Sequence, residues 1–477
     1  MDIDNLGGFT LRVLSKLNVI LGKNGCGKSY LLKQVDEHLT GREGFGKIRY
    51  ISPERGGSLQ YEAGVEQAIG QDPNWMVGQR RRNQASNFRQ QTTALFRLLE
   101  MSVLLEIERE PVRYAPRTFD ATVEKLNLLL DRVRLVRDRN RAFRLFDRTT
   151  NSEVTAETIS SGESELISLG IEFLAFAKDC EPGKNNVLLV DEPDVHLHPD
   201  LQDRLGGFIV DAIKDIPMTL ILATHSTALL ASLANREQTV VAFMQRGDTS
   251  LTFKVVSDVD RAILPIFGAH PLSNVFNQAP ILLVEGEDDE RLWQQAVRSS
   301  EGRLRIFPCV VDGEARFAEF ETEVNNIIEA VYDDAKGYSL RDRDLHPELI
   351  DDVGHVIRMR LGCRSAENLM LSNEVLALAG TDWEALQMTM SRWLGPNVDH
   401  QYHADVSEFL NSGYDRKDHD IKSIRNILVG LISNKPWEVL VGQAIARLSK
   451  DGGPVTGGSL RDYLGEKVCQ KILKLAD

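Results

Sequence analysis

The sequence predicts an α/β chain made of two successive units. Three placements of short apolar runs that pass into polar loops carry that prediction. Leu17 to Leu21 leads through a glycine-rich loop into the helix-like stretch Tyr30 to His38. Asn186 to Val190 and Met218 to Ala223 end in acids and in a histidine, and Ile281 to Val284 restarts the pattern after Gly268 to Pro280, which reads as a linker. The expected division is 1–265 for the first unit, 266–279 for the linker, 280–400 for the second α/β domain and 401–477 for a helical C-terminal part.

A chain of 477 residues exceeds one ordinary core. With 42% hydrophobic and 26% charged residues it reads as a folded protein, not a disordered one. No apolar run approaches the ~20 residues that span a bilayer, and the first residues lack the basic-then-apolar layout of a signal peptide, so a cytoplasmic protein without membrane contact is expected. The five cysteines, Cys26, Cys180, Cys309, Cys363 and Cys469, lack C-x-x-C spacing and indicate neither zinc nor a disulfide framework. A net charge of −14 argues against indiscriminate nucleic-acid binding but leaves a locally basic surface open.

Phe9 to Leu14 and Leu17 to Leu21 read as strands, and Gly22 to Ser29 follows them as a phosphate-binding loop with a strand before it and a helix after it. Glycine is required there because only a residue without a Cβ lets successive N–H groups curl around a polyphosphate. Asn24, Gly25, Cys26, Gly27, Lys28 and Ser29 are therefore expected to bind ATP, with Lys28 at the β and γ phosphates and the Ser29 hydroxyl on Mg²⁺. Cys26 is either a thiol activated by a helix N-terminus or a small residue that fits. Lys47 to Ser52 reads as a further strand, broken at Pro53-Glu54-Arg55-Gly56-Gly57.

Residues of about 60–115 have helical spacing and read as an insertion, with Arg80 to Arg82 and Arg89 as a phosphate-contacting face or as solvated surface. A segment of about 130–150 alternates basic and apolar residues as a β-hairpin does, with Arg132, Arg134, Arg137, Arg139, Arg141 and Arg144 on it. Ile159-Ser160-Ser161-Gly162-Glu163 then precedes an apolar helix. Alone, this is an anion-binding corner or a helix capping box.

The strand ending in Asp191-Glu192-Pro193-Asp194 places acids at an edge where they are costly unless they serve a metal or water. Asp191 is expected to hold Mg²⁺ through water and Glu192 to orient and deprotonate the attacking water. His225, at the end of the next strand, is placed for the γ-phosphate or that water. The order of these motifs resembles an ATPase of the ABC type, and His196-Leu197-His198-Pro199 is similar to its soluble AAA15 branch. The resemblance implies paired heads, with Ser160, Gly162 and Glu163 acting on the partner's nucleotide, Asp194 near the contact, and a homodimer or higher homo-oligomer. About 130 residues separate Ser29 from Ser160, too few for long coiled-coil arms. Gln60 is the candidate for the glutamine that links metal and water.

Thr239 to Met244 and Leu251 to Val256 read as a hairpin turned at Gly247-Asp248. Farther on, Ile281 to Val284 ends in Glu285-Gly286-Glu287-Asp288-Asp289, and about fifty residues later Tyr338 to Leu340 leads into Asp342-Arg343-Asp344. Acids at two strand ends can converge on divalent metal, which activates water for phosphodiester cleavage. This pairing resembles a Toprim domain. The resemblance implies Glu285, Asp289, Asp342 and Asp344 as catalytic acids, with Mg²⁺ or Mn²⁺ held by Glu285, Asp342, Asp344 and, from Arg364-Ser365-Ala366-Glu367-Asn368, Glu367. Lys435 is the candidate for a late lysine near the scissile phosphate.

An ABC-type ATPase followed by a Toprim domain resembles the OLD (overcoming lysogenisation defect) family over about residues 1–375, and the compact second half is also similar to the PARIS anti-phage system. That resemblance implies an ATP-gated nuclease of phage defence, acting on DNA or tRNA and triggered by a phage protein. Two other functions stay open: an ATPase sensor or scaffold that holds a separate effector beside an inactive Toprim domain, and an ATPase of DNA repair or recombination.

Overall fold

The computed structural model describes residues 1–52, 85–109, 119–139, 142–155, 158–195, 197–214, 216–234, 239–269, 280–332, 334–412, 415–454 and 456–475. The Pro53 to Gly57 segment, Gln60, Arg80 to Arg82, Arg141, His196 and most of the linker lie outside the described residues, as does the side chain of Arg89. The described residues form two compact units, Met1–Pro271 and Leu272–Asp477.

In the first unit β1 (Ile3–Leu6) and β2 (Phe9–Arg12) form a small antiparallel pair, and β3 (Leu17–Leu21) leads into α1 (Lys28–Leu39) and β4 (Phe45–Ile51). The long helix α2 (Ala85–Arg109) and α3 (Phe119–Asn127) precede β5 (Val133–Asp138), β6 (Ala142–Asp147) and β7 (Glu153–Val154). After α4 (Ser161–Asp179), β8 (Asn185–Asp191), α5 (Pro199–Ile213), β9 (Met218–Thr224), α6 (Thr227–Ala234) and β10 (Thr239–Phe243) complete the core; β11 (Ser250–Thr252), β12 (Lys254–Val255) and α7 (Asp258–Ala269) follow.

The main sheet runs β12-β10-β3-β9-β8-β4, parallel except for β12. Every residue of β3 is buried, which is why it reads as an unbroken apolar run and not as an alternation. Its one polar member, Asn18, donates to the Leu220 and Ser15 carbonyls, so no amide is left unpaired. Helix α1 lays Leu31, Leu32, Val35 and Leu39 on this sheet, all fully buried, each contributing on the order of 2 kcal/mol. The expected hairpin after β10 is divided in the structure: Val240 pairs with Val255 in antiparallel sense, whereas Leu251 leaves to pair with Leu11 of β2. Pairing to a distant strand carries no local sequence signal.

The second unit has four parallel strands in the order β14-β13-β15-β16, where β13 is Ile281–Val284, β14 Phe307–Val310, β15 Gly337–Arg341 and β16 Val356–Arg360. Helix α8 (Glu287–Ser299) follows β13 and α9 (Phe317–Val331) precedes β15. One apolar core runs from Leu282 of β13 to Leu473 near the C-terminus. A helix at Trp437–Asp451 lies so close to α8 that a Cβ on Gly442 would come within 2.7 Å of the Leu292 carbonyl oxygen. The C-terminal helices are thus part of the wall of this unit's core.

Candidate functional site

The parallel arrangement of β3, β9 and β8 brings the loop after Leu21, Thr224-His225 and Asp191-Glu192 to one sheet edge. Gly25 and Gly27 have φ of 76° and 110°, and a Cβ on Gly22 would lie 2.6 Å from the Met244 carbonyl oxygen and 2.8 Å from Cys26 Sγ. Cys26 is buried and belongs to the apolar core, so it fits as packing. A cavity of about 400 Å³ is lined by Asn24, Gly25, Gly27, Lys28, Ser29, Tyr30, Glu192, Val195 and His225.

Within that cavity the charges are already paired. Lys28 donates to the Gly22 and Lys23 carbonyls and lies 3.0 Å from Glu192 Oε1. His225 Nδ1 meets the other oxygen of Glu192, and Asp194 Oδ2 lies 3.8 Å from the same nitrogen. Burial opposes ionisation of Glu192, but His225 and Lys28 outweigh it and hold its carboxyl below the usual range. The hydrogen bond to Glu192 raises His225 against its partial burial, helped by Asp194. Burial raises Asp194, which accepts a hydrogen bond of 2.5 Å from Thr224 Oγ1. Asp191 is fully buried beneath them and accepts from the Tyr50 hydroxyl at 2.7 Å. Glu192 has a left-handed backbone, φ 44°, which turns its side chain from the strand direction into the cavity mouth.

Ser160 caps α4 and forms a reciprocal capping box with Glu163. None of Ser160, Gly162 and Glu163 lines the cavity of its own chain. Glu163 is gripped at both oxygens by Arg132, at 3.2 and 2.6 Å. Sequence reading had no signal for this bond, since it treated the hairpin arginines as one charged face. Several of them are committed to ion pairs, Arg137 with Glu100 and Arg144 with Glu153.

In the second unit, Glu285 follows β13, Asp289 stands in the first turn of α8, and Asp342 and Asp344 follow β15. Asp289 accepts from the Gly286 N–H at 3.1 Å. Asp342 accepts from the Ala366 N–H through Oδ1 at 2.9 Å and from Lys422 Nζ through Oδ2 at 3.0 Å. Glu367 lies 3.5 Å from Arg425, which also bonds Asp288 at 2.7 Å. These acids feel one another. Burial, then Asp342, pushes Asp289 up to about 8, and burial pushes Asp342 up to about 7 against the pull of Lys422. Glu285 is raised by burial and by Asp344, Glu314 and Glu367, with Lys422 opposing. Asp344 has a left-handed backbone, φ 46°.

Sequence reasoning missed Glu314, Lys422 and Arg425. It selected Lys435, which is exposed and has its backbone N–H on Ser433 Oγ, whereas the lysine that meets Asp342 is Lys422. Lys422 is carried by the segment before the helix Arg425–Ile432, 80 residues along the chain from Asp342. Among the described residues, the trio of potential ligands whose atoms all lie within 4.8 Å of one another is Glu192, Asp194 and His225, which their hydrogen bonds explain, and not a trio of these acids. An all-oxygen set in which Glu285, Asp289 and Asp342 are all raised is nevertheless the donor chemistry that a hard divalent cation fits.

Residues 75–231 match the family AAA_21, described as "AAA domain, putative AbiEii toxin, Type IV TA system". Among solved structures, the chain resembles the SMC head domain from Thermotoga maritima at 16% identity and TM-score 0.23, covering 32% of this chain and 51% of that one. It also resembles the Smc head domain with an extended coiled coil from Pyrococcus furiosus, at 19% identity and TM-score 0.23, over 48% of this chain and 52% of that one. A third is "An inward-facing conformation of a putative metal-chelate type ABC transporter", at 17% identity and TM-score 0.28, over 54% and 79%. The chain thus spans about half the length of the two SMC heads. No curated protein matches it. The family match lies within the first unit, the unit that also holds the glycine loop, the strand-end acids and the capped helix described above. Among the described residues no helix is long and apolar enough to cross a membrane.

Proposed function

We propose that the chain is an ATP-gated, metal-dependent nuclease of phage defence, in which paired ATPase heads control a hydrolytic site in the second unit. The gathering of Glu285, Asp289, Asp342 and Glu367, all half-buried, at one edge of a second parallel sheet carries this reading, because so many acids partly withdrawn from water are costly without a cation to serve. At the head, an incoming triphosphate takes Lys28 from Glu192. Ser29 and Asp191 hold Mg²⁺, which neutralises phosphate charge. His225 then remains as the cation on Glu192, keeping its carboxylate ionised and oriented to accept a proton from water. Ser160 and Gly162, outside their own cavity, face the nucleotide of a second copy, whose alliance completes the site.

In the second unit, Glu285, Asp342, Asp344 and Glu367 hold Mg²⁺ or Mn²⁺, which supplies an activated water and a counter-charge for the leaving oxygen. Lys422 and Arg425 line the same acids with positive charge suited to a phosphodiester of DNA or tRNA. The test is cleavage of plasmid DNA and of tRNA with Mg²⁺ or Mn²⁺. Wild type is expected to cut one of them and Glu285→Ala to lose the activity; equal cutting by both sinks the nuclease.

One observation favours a second reading, an ATPase scaffold that holds an effector, with a phage protein as its trigger. No three of these acids bring their oxygens within 4.8 Å of one another among the described residues. In that case Glu192→Gln traps a stable ATP-bound oligomer, and no metal elicits cleavage.

A further inference from the structure

We propose that Lys422 is the resident counter-cation of the acid site, holding Asp342 in the metal-free protein and competing with a divalent ion for it. This rests on the reading of the second unit as a metal site. The two oxygens of Asp342 are not equivalent. Oδ1 is fixed by the Ala366 N–H at 2.9 Å, so Oδ2 is the oxygen left for a cation, and Lys422 Nζ lies 3.0 Å from it. A divalent ion must approach a carboxylate oxygen to within about 2.0 to 2.6 Å. An ammonium on the same oxygen would then face two added charges across a short gap in a half-buried site, so the two cations exclude one another.

The loop that carries Lys422 is tied down without it. Arg343 pairs with Asp418, Arg364 lies 3.3 Å from Asp420, and Asn368 Nδ2 donates to the Arg416 and His419 carbonyls at 3.1 and 3.0 Å. The Lys422 side chain is 46% exposed, while Asp342 is 10% exposed, so the lysine enters from solvent and can swing back without moving the loop. Its displacement therefore costs one ion pair and no refolding. Lys422 also feels Glu367 and Glu285, so one ammonium screens several acids at once. The device keeps the site quiet at low metal and sets the metal concentration at which it fills.

The experiment is Mn²⁺ titration of the nucleotide-free full chain, followed by the paramagnetic resonance of free Mn²⁺, for wild type, Glu285→Ala, Lys422→Met and Lys422→Arg. Lys422→Met is expected to bind Mn²⁺ about tenfold more tightly than wild type and Lys422→Arg about equally. Lysine acetylation read by mass spectrometry gives a second measurement on the wild type alone. Lys422 is expected to become more reactive on adding Mn²⁺ while Lys435 does not change. If Glu285→Ala weakens Mn²⁺ binding but Lys422→Met leaves it equal or weaker, or Lys422 labelling fails to rise, the competition is refuted and the metal site stands. If Glu285→Ala binds as wild type does, the metal reading fails and the proposal with it.

Discussion

Two sheet edges in this chain carry acids on a left-handed turn, Glu192 at φ 44° in the first unit and Asp344 at φ 46° in the second, yet they solve opposite electrostatic problems. In the first, each acid has its own partner: Lys28 and His225 for Glu192, Tyr50 for Asp191, Thr224 for Asp194. In the second, Glu285, Asp342 and Glu367 share Lys422, and Arg425 reaches Glu367, while Asp289 accepts from the Gly286 N–H. The first edge is neutralised before a ligand arrives and must exchange partners to work. The second is left short of positive charge, which is what a site for a cation requires.

The largest test of this contrast is Glu192→Gln. Removing the base but keeping its shape is expected to lower ATP turnover by roughly 100-fold or more, measured by phosphate release, with ATP binding retained. A loss of binding with unchanged turnover per bound ATP would mean that Glu192 serves only to balance Lys28. At the second edge the corresponding change, Glu285→Ala, should leave ATP turnover within about twofold, because the residue stands outside the nucleotide cavity.

Thermal melting against pH separates the two edges next. Asp289 and Asp342, pushed up to about 8 and about 7, bind more protons folded than unfolded. Their contribution to stability is full below about pH 4 and is lost as pH rises through 7 to 8. Saturating Mn²⁺ should remove most of that decline, raising the melting temperature on the order of 5 °C at pH 8 and little at pH 5. A Mn²⁺ effect independent of pH would break the link between the acids and the metal. At the first edge His225 is raised, so its stabilisation persists below about 6.5 and disappears as pH rises through its folded value. Glu192 is lowered, and its share is lost only as pH falls below about 4.5. His225→Asn should erase the step above about 6.5 in a nucleotide-free, Mn²⁺-saturated melt, a smaller effect than that of Mn²⁺ itself. A step of unchanged size would detach His225 from Glu192.

The parts of both sites that were legible in the sequence are local in the chain. A glycine loop after a buried strand, or an acid directly after one, announces itself within a few residues, as with Lys28, Asp191, Glu285 and Asp342. The cations that decide the second edge are not local. Lys422 reaches Asp342 across 80 residues and Arg425 reaches Asp288 across 137, from a loop and helix that sequence reading treated as a separate C-terminal part. Periodicity places a lysine on a helix or loop but cannot say which strand end it meets, and so Lys435 was selected. Arg132 was hidden for the same reason, its bond to Glu163 crossing from hairpin to helix cap. The division of the strand after β10 between two sheets follows the same rule.

The smallest expected effect concerns Cys26, where the thiol has two readings. If the helix N-terminus activated it, alkylation and substitution would both change ATP chemistry. The structure buries it in the apolar core under Gly22, where a small side chain fills the space beneath the loop. Cys26→Ala should therefore cost about 1 kcal/mol of stability in denaturant unfolding, the value for deleting one buried heavy atom, and leave ATP turnover within about twofold. Cys26→Ser, which places a hydroxyl against the same apolar neighbours, should cost more than alanine despite its closer shape. The reverse order, with serine tolerated and alanine inactive, would mean that a polar group at this position contacts the phosphates, and the first edge would then recruit its ligand through more than its backbone and Lys28.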